Sequence, residues 1–290
     1  MTDAFTVAAA QYPIERIVDW PQYEAKIARW VGEAVAQGAK LLLFPEYFSM
    51  ELAALFAPDV QQSLAAQLKA MQALLPDFLA LFAQAARTHG VIICAGSYPV
   101  RVEDGAFHNR AYLFHADGRV EFQDKLQMTR FETEQWGIEA GNDLRVFDTA
   151  LGTLGIAICY DSEFPLLARR MVERGANVIL VPSCTDTPAG YHRVRIGCQA
   201  RALENQCYVV QACTVGAAPW SVAVDVNVGA AAAYAPADRG FPDDGVLAIG
   251  ELDAAQWVYA QLDAQRIAAV RRDGQVFNYR DWPAHARFGA

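Results

Sequence analysis

The sequence predicts an α/β fold whose sheets are buried between helices. Short, continuously apolar segments recur from one end of the chain to the other, and helix-length segments with apolar residues at three and four spacing separate several of them. Of the 290 residues, 53 % are hydrophobic and 20 % are charged, which is enough apolar material for a large core. Strands that alternate with helices and lack a polar face are typical of covered sheets.

The predicted strands share short length and nearly unbroken apolar sequence. In chain order they cover residues 5–10, 40–44, 91–95, 111–114, 120–123, 154–158, 178–181, 208–212 and 258–262. The predicted helices share an apolar stripe along one face, and they cover residues 23–36, 78–88, 163–174 and 194–204.

Two stretches of the chain resemble each other. They are ARWVGEAVAQGAKLLLFPEY, which begins at Ala28, and ARRMVERGANVILVPSC, which begins at Ala168. Each contains a helix that ends in Gly-Ala, then an apolar strand and a proline; glycine suits a helix C-cap and proline suits a strand end. We expect two sheet halves of comparable build that face each other. Because no stretch has the composition of a linker, residues 1–290 are predicted to form one domain.

Charge and composition narrow the class of partner. The formal net charge is −9, and no dense run of Lys and Arg is present, so nucleic acid and anionic membranes are poor partners and a small molecule is expected. No apolar run approaches the roughly 20 residues of a membrane-spanning helix. The N-terminal MTDAFTVAAAQYP has no basic stretch before its apolar run, so we expect no signal peptide and a cytoplasmic location.

Neither a metal nor a cofactor is expected. The histidines are scattered through the chain and form no HExxH motif; they are His89, His108, His115, His192 and His285. The six cysteines contain no CxxC pair, which favours reduced thiols over zinc ligands or disulfides. No GxGxxG or GxxxxGK[ST] motif is present to bind a nucleotide.

Three residues of different chemistry follow predicted strands. Cys159 ends the apolar strand of TLGIAICYDSEFP, Glu46 follows LLLFP, and Lys125 ends VEFQDK. Taken singly, each has an ordinary explanation as a buried thiol, a solvated glutamate or a surface lysine. Together they are the groups needed for acyl transfer through a thioester: a base, an ammonium that stabilises an oxyanion, and a nucleophile.

These segments resemble motifs of the nitrilase superfamily of carbon–nitrogen hydrolases, over residues 5–281. LLLFPEY resembles the glutamate motif, NRAYLFHADGRVEFQDKL leads to the lysine, and GIAICYDSEFPLLAR resembles the cysteine motif. The resemblance implies a four-layer αββα sandwich. It also implies that Glu46 is the general base, Lys125 the oxyanion stabiliser and Cys159 the nucleophile, with the backbone N–H of Tyr160 as a second oxyanion donor.

The resemblance implies further residues and an assembly. A second glutamate follows the lysine in this family, and FETEQWG makes Glu132 the choice, with Glu134 as the alternative. Members associate across the helices beside the cysteine motif, so a homodimer or a larger homo-oligomer is expected. Leu166 stands where the family usually has a glutamate after Phe-Pro.

The substrate is predicted only as a class. Cys-Tyr-Asp resembles the motif of amidase-like branches more than the Cys-Trp-Glu of nitrilases, which favours a small amide or carbamoyl compound. The branch that the sequence resembles does not itself indicate a substrate. The predicted pocket residues are Tyr47, Phe131, Phe164 and Thr185. Three arginines on a helical segment are candidates for a substrate carboxylate, although pairing with glutamate is the commoner role; they are Arg193, Arg195 and Arg201.

Three alternatives stay open beside hydrolysis of an amide. The same thioester can pass its acyl group to an amine, which makes an N-acyltransferase, or it can arise from a nitrile. A non-catalytic scaffold that keeps the sandwich is the alternative from another class, and the presence of all three residue types argues against it.

Overall fold

A computed structural model describes residues 4–283 of the chain, and His285 lies outside the described residues. The strands of the described residues form one hydrogen-bonded network of 14 strands. It divides into two sheets that pack face to face, with helices on the outer face of each sheet. The predicted four-layer αββα sandwich is therefore confirmed.

The strands run in chain order as β1 Phe5–Pro13, β2 Ala39–Leu43, β3 Ile92–Arg101, β4 Phe107–Phe114, β5 Val120–Asp124, β6 Ile138–Glu139, β7 Val146–Thr149, β8 Gly152–Ile156, β9 Val178–Ser183, β10 Tyr208–Ala217, β11 Val226–Asn227, β12 Ala232–Tyr234, β13 Val246–Ile249 and β14 Gln256–Leu262. The helices are α1 Trp20–Ala36, α2 Pro58–Gln61, α3 Leu64–Met71, α4 Leu75–His89, α5 Pro165–Glu173, α6 Pro188–Asn205, α7 Ala264–Asp273 and α8 Asn278–Asp281.

The two sheets have related topologies. In the first sheet, β1, β2 and β3 are parallel and β4 pairs antiparallel with β3. In the second sheet, β10, β9 and β8 are parallel and β7 pairs antiparallel with β8. The end of β1 pairs in parallel with β10, from Gln11↔Cys213 to Pro13↔Val215, so one hydrogen-bonded ladder joins the two sheets.

Side chains of the first sheet alternate between two cores, as the period of a strand requires. Leu41 and Leu43 of β2 point toward the second sheet, where they share a core with Leu180 of β9. Leu42 points the other way and packs with Ile27 of α1. Because both faces of these strands are buried, their sequences are nearly unbroken apolar runs.

All four predicted helices begin at residues other than those predicted, namely Trp20, Leu75, Pro165 and Pro188. The helix predicted over residues 163–174 begins at Pro165, because Cys159–Glu163 forms a separate 3-10 turn. The helix predicted over residues 194–204 begins earlier, at Pro188, where the Thr187 side chain accepts from the backbone N–H of Gly190 at 3.1 Å. Within residues 4–283, no helix combines the length and the apolarity needed to cross a bilayer.

Candidate active site

A cavity of about 250 Å³ opens at the carboxyl ends of four strands. Glu46 follows β2, Lys125 follows β5, Cys159 follows β8 and Cys184 follows β9, and all four side chains line the cavity. Parallel strands of both sheets end here, and this edge is where α/β proteins bind ligands. The three residues predicted at strand ends, Glu46, Lys125 and Cys159, are thus brought together from both sheets.

Lys125 lies at the centre of a buried charge cluster. Its Nζ donates to Glu46 Oε1 at 2.8 Å and to Glu132 Oε2 at 2.6 Å, and all three side chains are at most 2 % exposed. Burial alone would lower the pKa of Lys125, but the two carboxylates outweigh burial and raise it well above its ordinary value. The ammonium therefore stays charged over the whole neutral range.

Glu132, and not Glu134, is the second glutamate beside the lysine. Glu132 begins a π-helical turn, Glu132–Trp136, and its carboxylate also accepts from Tyr47 Oη at 2.8 Å and from the Thr129 backbone N–H at 2.9 Å. Burial would raise its pKa, but Lys125 and these donors hold it below the ordinary value. Glu134 is exposed and pairs with Arg130 at 2.7 Å.

Glu46 has a different electrostatic environment from Glu132. Its Oε2 accepts from the backbone N–H of Cys184 at 3.0 Å, and its Oε1 accepts from Asn109 Nδ2 at 2.9 Å in addition to Lys125. Burial raises the pKa of Glu46 above its ordinary value; the Lys125 ammonium opposes that shift and the Glu132 charge reinforces it. A carboxylate with a raised pKa is a stronger base than an ordinary glutamate and is suited to accept and return a proton.

The turn that carries Glu46 needs an unusually close backbone approach. Tyr47, the next residue, has a φ of 52°, and its N–H donates to Ser97 Oγ at 3.0 Å. Gly96 lies against this turn with a φ of 52°, and a Cβ at that position would lie 1.9 Å from the Pro45 carbonyl oxygen. Glycine at this position lets β3 support the Glu46 turn directly.

Cys159 sits at the start of the 3-10 turn with a φ of 49°, in the left-handed region that few non-glycine residues adopt. Ser162 Oγ donates to the Cys159 carbonyl, and the thiol lies 3.8 Å from the carbonyl oxygen of Cys184. Burial raises the pKa of the Cys159 thiol well above its ordinary value, Glu46 adds to the shift and Lys125 opposes it. At rest the sulfur is therefore a thiol.

The walls of the cavity contain most of the predicted pocket residues. Tyr47, Phe131, Tyr160 and Thr185 line it. Phe164 is not among the lining residues, because its ring lies behind that of Tyr160 at 4.8 Å in an edge-on contact. The 3-10 turn directs Tyr160 into the cavity and leaves Phe164 at the first position before α5.

Sequence patterns did not predict three components of the site, namely Cys184, Asn109 and the loop after β10. Asn109 is buried on β4, and its Nδ2 also lies 3.2 Å from Glu132 Oε1, so one amide contacts both carboxylates. Asn109 opens the quoted NRAYLFHADGRVEFQDKL segment, but a polar residue at a strand start carries no signal of its own. The loop after β10 forms part of the wall through residues 222–226, which no motif marked.

Charged residues also line the mouth of the cavity. Arg193 on α6 is 62 % exposed and pairs with Glu163 at 3.5 Å. Arg195 is absent from the lining residues, and Arg201 is buried and donates to the Ser162 carbonyl at 3.2 Å, which ties α6 to the Cys159 turn. Across residues 4–283, no group of three or more His, Cys, Asp or Glu side chains is arranged to hold a metal ion.

The arrangement has the parts required for acyl transfer. The site offers a thiol and a buried carboxylate, both with raised pKa values, and an ammonium whose pKa is also raised, and all three groups line a single cavity. A carboxylate of this kind can take the thiol proton, and an ammonium can stabilise negative charge on a carbonyl oxygen.

A known protein family and several individual proteins are similar in sequence to this chain. The family model described as carbon-nitrogen hydrolase matches residues 6–272. A probable hydrolase of Bacillus subtilis is 36 % identical over 275 residues, which cover 95 % of this chain and 53 % of the relative. An omega-amidase of Xenopus laevis is 25 % identical over 199 residues, which cover 64 % of this chain and 67 % of the relative. The chain thus spans about half the length of the Bacillus relative.

Solved structures share the fold. A Saccharomyces cerevisiae member of the nitrilase superfamily superposes with a TM-score of 0.73 at 20 % identity, over 93 % of this chain and 94 % of that one. An amidase from a Nesterenkonia species, with an acetamide group on its active-site cysteine, gives a TM-score of 0.70 at 23 % identity, over 96 % of this chain and 97 % of that one. By the match of the family model over nearly the whole chain, this chain belongs to the carbon–nitrogen hydrolase family.

Proposed function

We propose that the protein hydrolyses the C–N bond of a small amide or carbamoyl compound through a thioester on Cys159. The observation that carries this proposal is the position of the Lys125 ammonium, which is held by Glu46 and Glu132 in the cavity that the Cys159 thiol also lines. A thiol, a base and an oxyanion stabiliser in one cavity are the minimum set for thioester chemistry.

In the first half of the reaction, Cys159 Sγ attacks the amide carbonyl carbon while its proton passes to the Glu46 carboxylate. The carbonyl oxygen becomes an oxyanion, which the Lys125 ammonium and the backbone N–H of Tyr160 stabilise. The C–N bond then breaks, and Glu46 returns the proton to the leaving nitrogen. Ammonia or an amine departs, and the acyl group stays on sulfur as a thioester.

In the second half, a water molecule enters the position that the leaving amine vacated. Glu46 takes a proton from the water as its oxygen attacks the thioester carbon, and the same oxyanion donors act again. The C–S bond breaks, the thiolate regains a proton from Glu46, and the carboxylic acid leaves. Glu132 contacts no reacting atom in this scheme; it holds Lys125 and keeps its charge paired.

The pKa directions agree with this division of labour. The raised pKa of Cys159 keeps the thiol protonated until a substrate arrives, so attack and proton transfer occur together. The raised pKa of Glu46 makes it a stronger base than Glu132, whose pKa is lowered. Two neighbouring carboxylates with opposite shifts are characteristic of sites in which one acts as base and the other orients.

We also propose that the protein forms a homodimer or a larger homo-oligomer in the cytoplasm. Large apolar side chains are exposed on the helices beside the cysteine turn: Leu166 on α5 is 65 % exposed, and Ile196 on α6 is 64 % exposed. The free thiols of all six cysteines suit a reducing compartment.

The test is ammonia release from a panel of small primary amides and carbamoyl compounds, together with the intact mass of the protein after an acid quench. At least one compound should give ammonia and an acyl adduct on Cys159. Cys159→Ala should release no ammonia above background. Cys207→Ala, which removes another fully buried thiol outside the cavity, is the matched control and should keep its activity.

The proposal fails if Cys159→Ala turns over the same compound at the rate of the unsubstituted protein. Addition of a primary amine to the same reaction distinguishes hydrolysis from acyl transfer. A hydrolase gives the carboxylic acid as the main product, whereas an N-acyltransferase gives the new amide.

A further inference from the structure

Asp161 is a buried carboxylate in the cysteine turn that the proposed reaction does not use. It is 1 % exposed, it carries no salt bridge to any of the described residues, and it is not among the residues that line the cavity. A buried carboxylate is unfavourable unless hydrogen bonds compensate its lost hydration. Its hydrogen-bond partners therefore indicate what its presence achieves.

All the hydrogen bonds that its carboxylate accepts come from backbone N–H groups. Oδ1 accepts from Gln127 at 2.7 Å and from Leu126 at 3.1 Å, and Oδ2 accepts from Ile158 at 3.0 Å. Leu126 is the residue after Lys125, and Ile158 is the residue before Cys159. One side chain thus binds the backbone directly beside two of the proposed reacting groups.

These two backbone segments come from different sheets. The lysine follows β5 of the first sheet, and the cysteine follows β8 of the second. Elsewhere, parallel pairing between the two sheets occurs only at the end of β1, from Gln11↔Cys213 to Pro13↔Val215, among the strand pairs of the described residues. At the site itself, Asp161 supplies a direct polar connection between the lysine segment and the cysteine turn.

We propose that Asp161 is a positioning residue that sets the distance between the Lys125 ammonium and the Cys159 sulfur. It acts through the backbone, and it also supports the left-handed Cys159, since its own N–H donates to the Ile158 carbonyl at 3.0 Å. The catalytic role of Asp161 rests on the proposed function, whereas its hydrogen bonds do not depend on that function.

Burial raises the pKa of Asp161 to about 7, and Lys125 and the three N–H groups oppose that shift. Burial of this carboxylate is therefore unfavourable, and Lys125 together with the N–H donors favours its charged form. An amide of the same shape presents an NH₂ group to one set of these donors and cannot accept from all three.

The test compares Asp161→Asn with Glu51→Gln. Glu51 is the control, because it is also a fully buried carboxylate with several donors that lies outside the cavity. It accepts from Tyr12 Oη at 2.7 Å and from the Glu15 N–H at 2.7 Å, and unlike Asp161 it also pairs with a lysine, Lys26, at 2.5 Å. Both variants should lower the urea midpoint. Only Asp161→Asn should slow the alkylation of Cys159 by iodoacetamide, by about tenfold or more, and lower kcat by about 100-fold at a nearly unchanged KM.

The proposal is overturned if folded Asp161→Asn alkylates at the unsubstituted rate, or if Glu51→Gln loses alkylation to the same extent. Asp161→Ser, which keeps one acceptor in a smaller side chain, provides the same comparison if Asp161→Asn does not fold. Should no amide be hydrolysed by the unsubstituted protein, the proposed function fails, yet the ratio of alkylation rates still decides the role of Asp161.

Discussion

The side-chain nitrogen of Asn109 lies 2.9 Å from Oε1 of Glu46 and donates a hydrogen bond to it. The same nitrogen approaches Glu132 at 3.2 Å, so a neutral donor holds both carboxylates around the one ammonium of Lys125. A second cation at this position would lower the pKa of Glu46 and weaken it as a base. Asn109 supplies orientation without that charge.

Asn109→Asp should reduce kcat/KM by about 100-fold, because a third carboxylate would repel Glu46 and could not donate the hydrogen bond that the Asn109 amide donates to it. The same repulsion should raise the pKa of Glu46 further and move the acid limb of the pH–rate profile upward. Asn177→Asp is the control, because the Asn177 side chain accepts from Arg271 at 3.2 Å. This variant should behave as the unsubstituted enzyme. Steady-state kinetics across pH measure both effects, and an unshifted acid limb would contradict the explanation.

Lys125→Met should abolish turnover and lower the free energy of unfolding by about 3–5 kcal/mol, because it leaves two buried carboxylates without their counterion. Adding Glu132→Gln to this variant removes one of those charges. The double variant should regain part of the lost stability in urea denaturation, but no activity. If it is less stable than Lys125→Met alone, charge repulsion is not the cause; Lys40→Met, at an exposed lysine, controls for the substitution itself.

The pH dependence of the rate should reflect Glu46, which must be deprotonated to act as the proposed base. Its raised pKa places the acid limb above the ordinary glutamate value of about 4.3, so activity rises with pH through that limb. Lys125 stays charged, since its pKa is raised well above the ordinary lysine value. Glu132→Gln removes a charge that raises the pKa of Glu46, so the remaining activity should have its acid limb at lower pH. A limb that moves upward would contradict this assignment.

Gly96→Ala should destabilise the protein by about 2 kcal/mol or more and reduce activity, since a Cβ there would collide with the Pro45 carbonyl beside Glu46. Gly90→Ala is a closely matched control. Gly90 also has a positive φ, of 61°, but nothing lies within 4 Å of its added Cβ. That variant should cost about 1 kcal/mol and leave kcat unchanged. Equal losses of kcat in both variants would show that strain, and not displacement of Glu46, is responsible.

The strand pattern and the three proposed reacting groups could be predicted from the sequence because their signals are local. An apolar run such as LLLFP predicts a buried strand, and the residue after it falls at the sheet edge where Glu46 lies. The same logic located Lys125 and Cys159. Thr187 and Pro188 also form a local helix-start signal, a capping threonine followed by proline. The prediction of a helix from residue 194 did not use this signal.

Other parts of the site depend on contacts between distant segments, which no local pattern encodes. The Cys184 N–H that donates to Glu46 is 138 residues away along the chain, and the role of Asn109 requires two glutamates from separate turns. Phe164 was predicted to line the pocket from its distance in sequence to Cys159. A 3-10 turn between them rotates its ring behind Tyr160.

The ladder between β1 and β10 has a consequence for partly unfolded molecules. Its register, from Gln11↔Cys213 to Pro13↔Val215, fixes the sheet that ends in Glu46 relative to the sheet that ends in Cys159. A slip of one residue would displace one sheet by about 3.3 Å, which exceeds the tolerance of a proton transfer. Loosening the junction would therefore separate the Cys159 thiol from Glu46, and a molecule damaged there would lose the proposed chemistry. The protein's reactivity and its structural integrity are lost together.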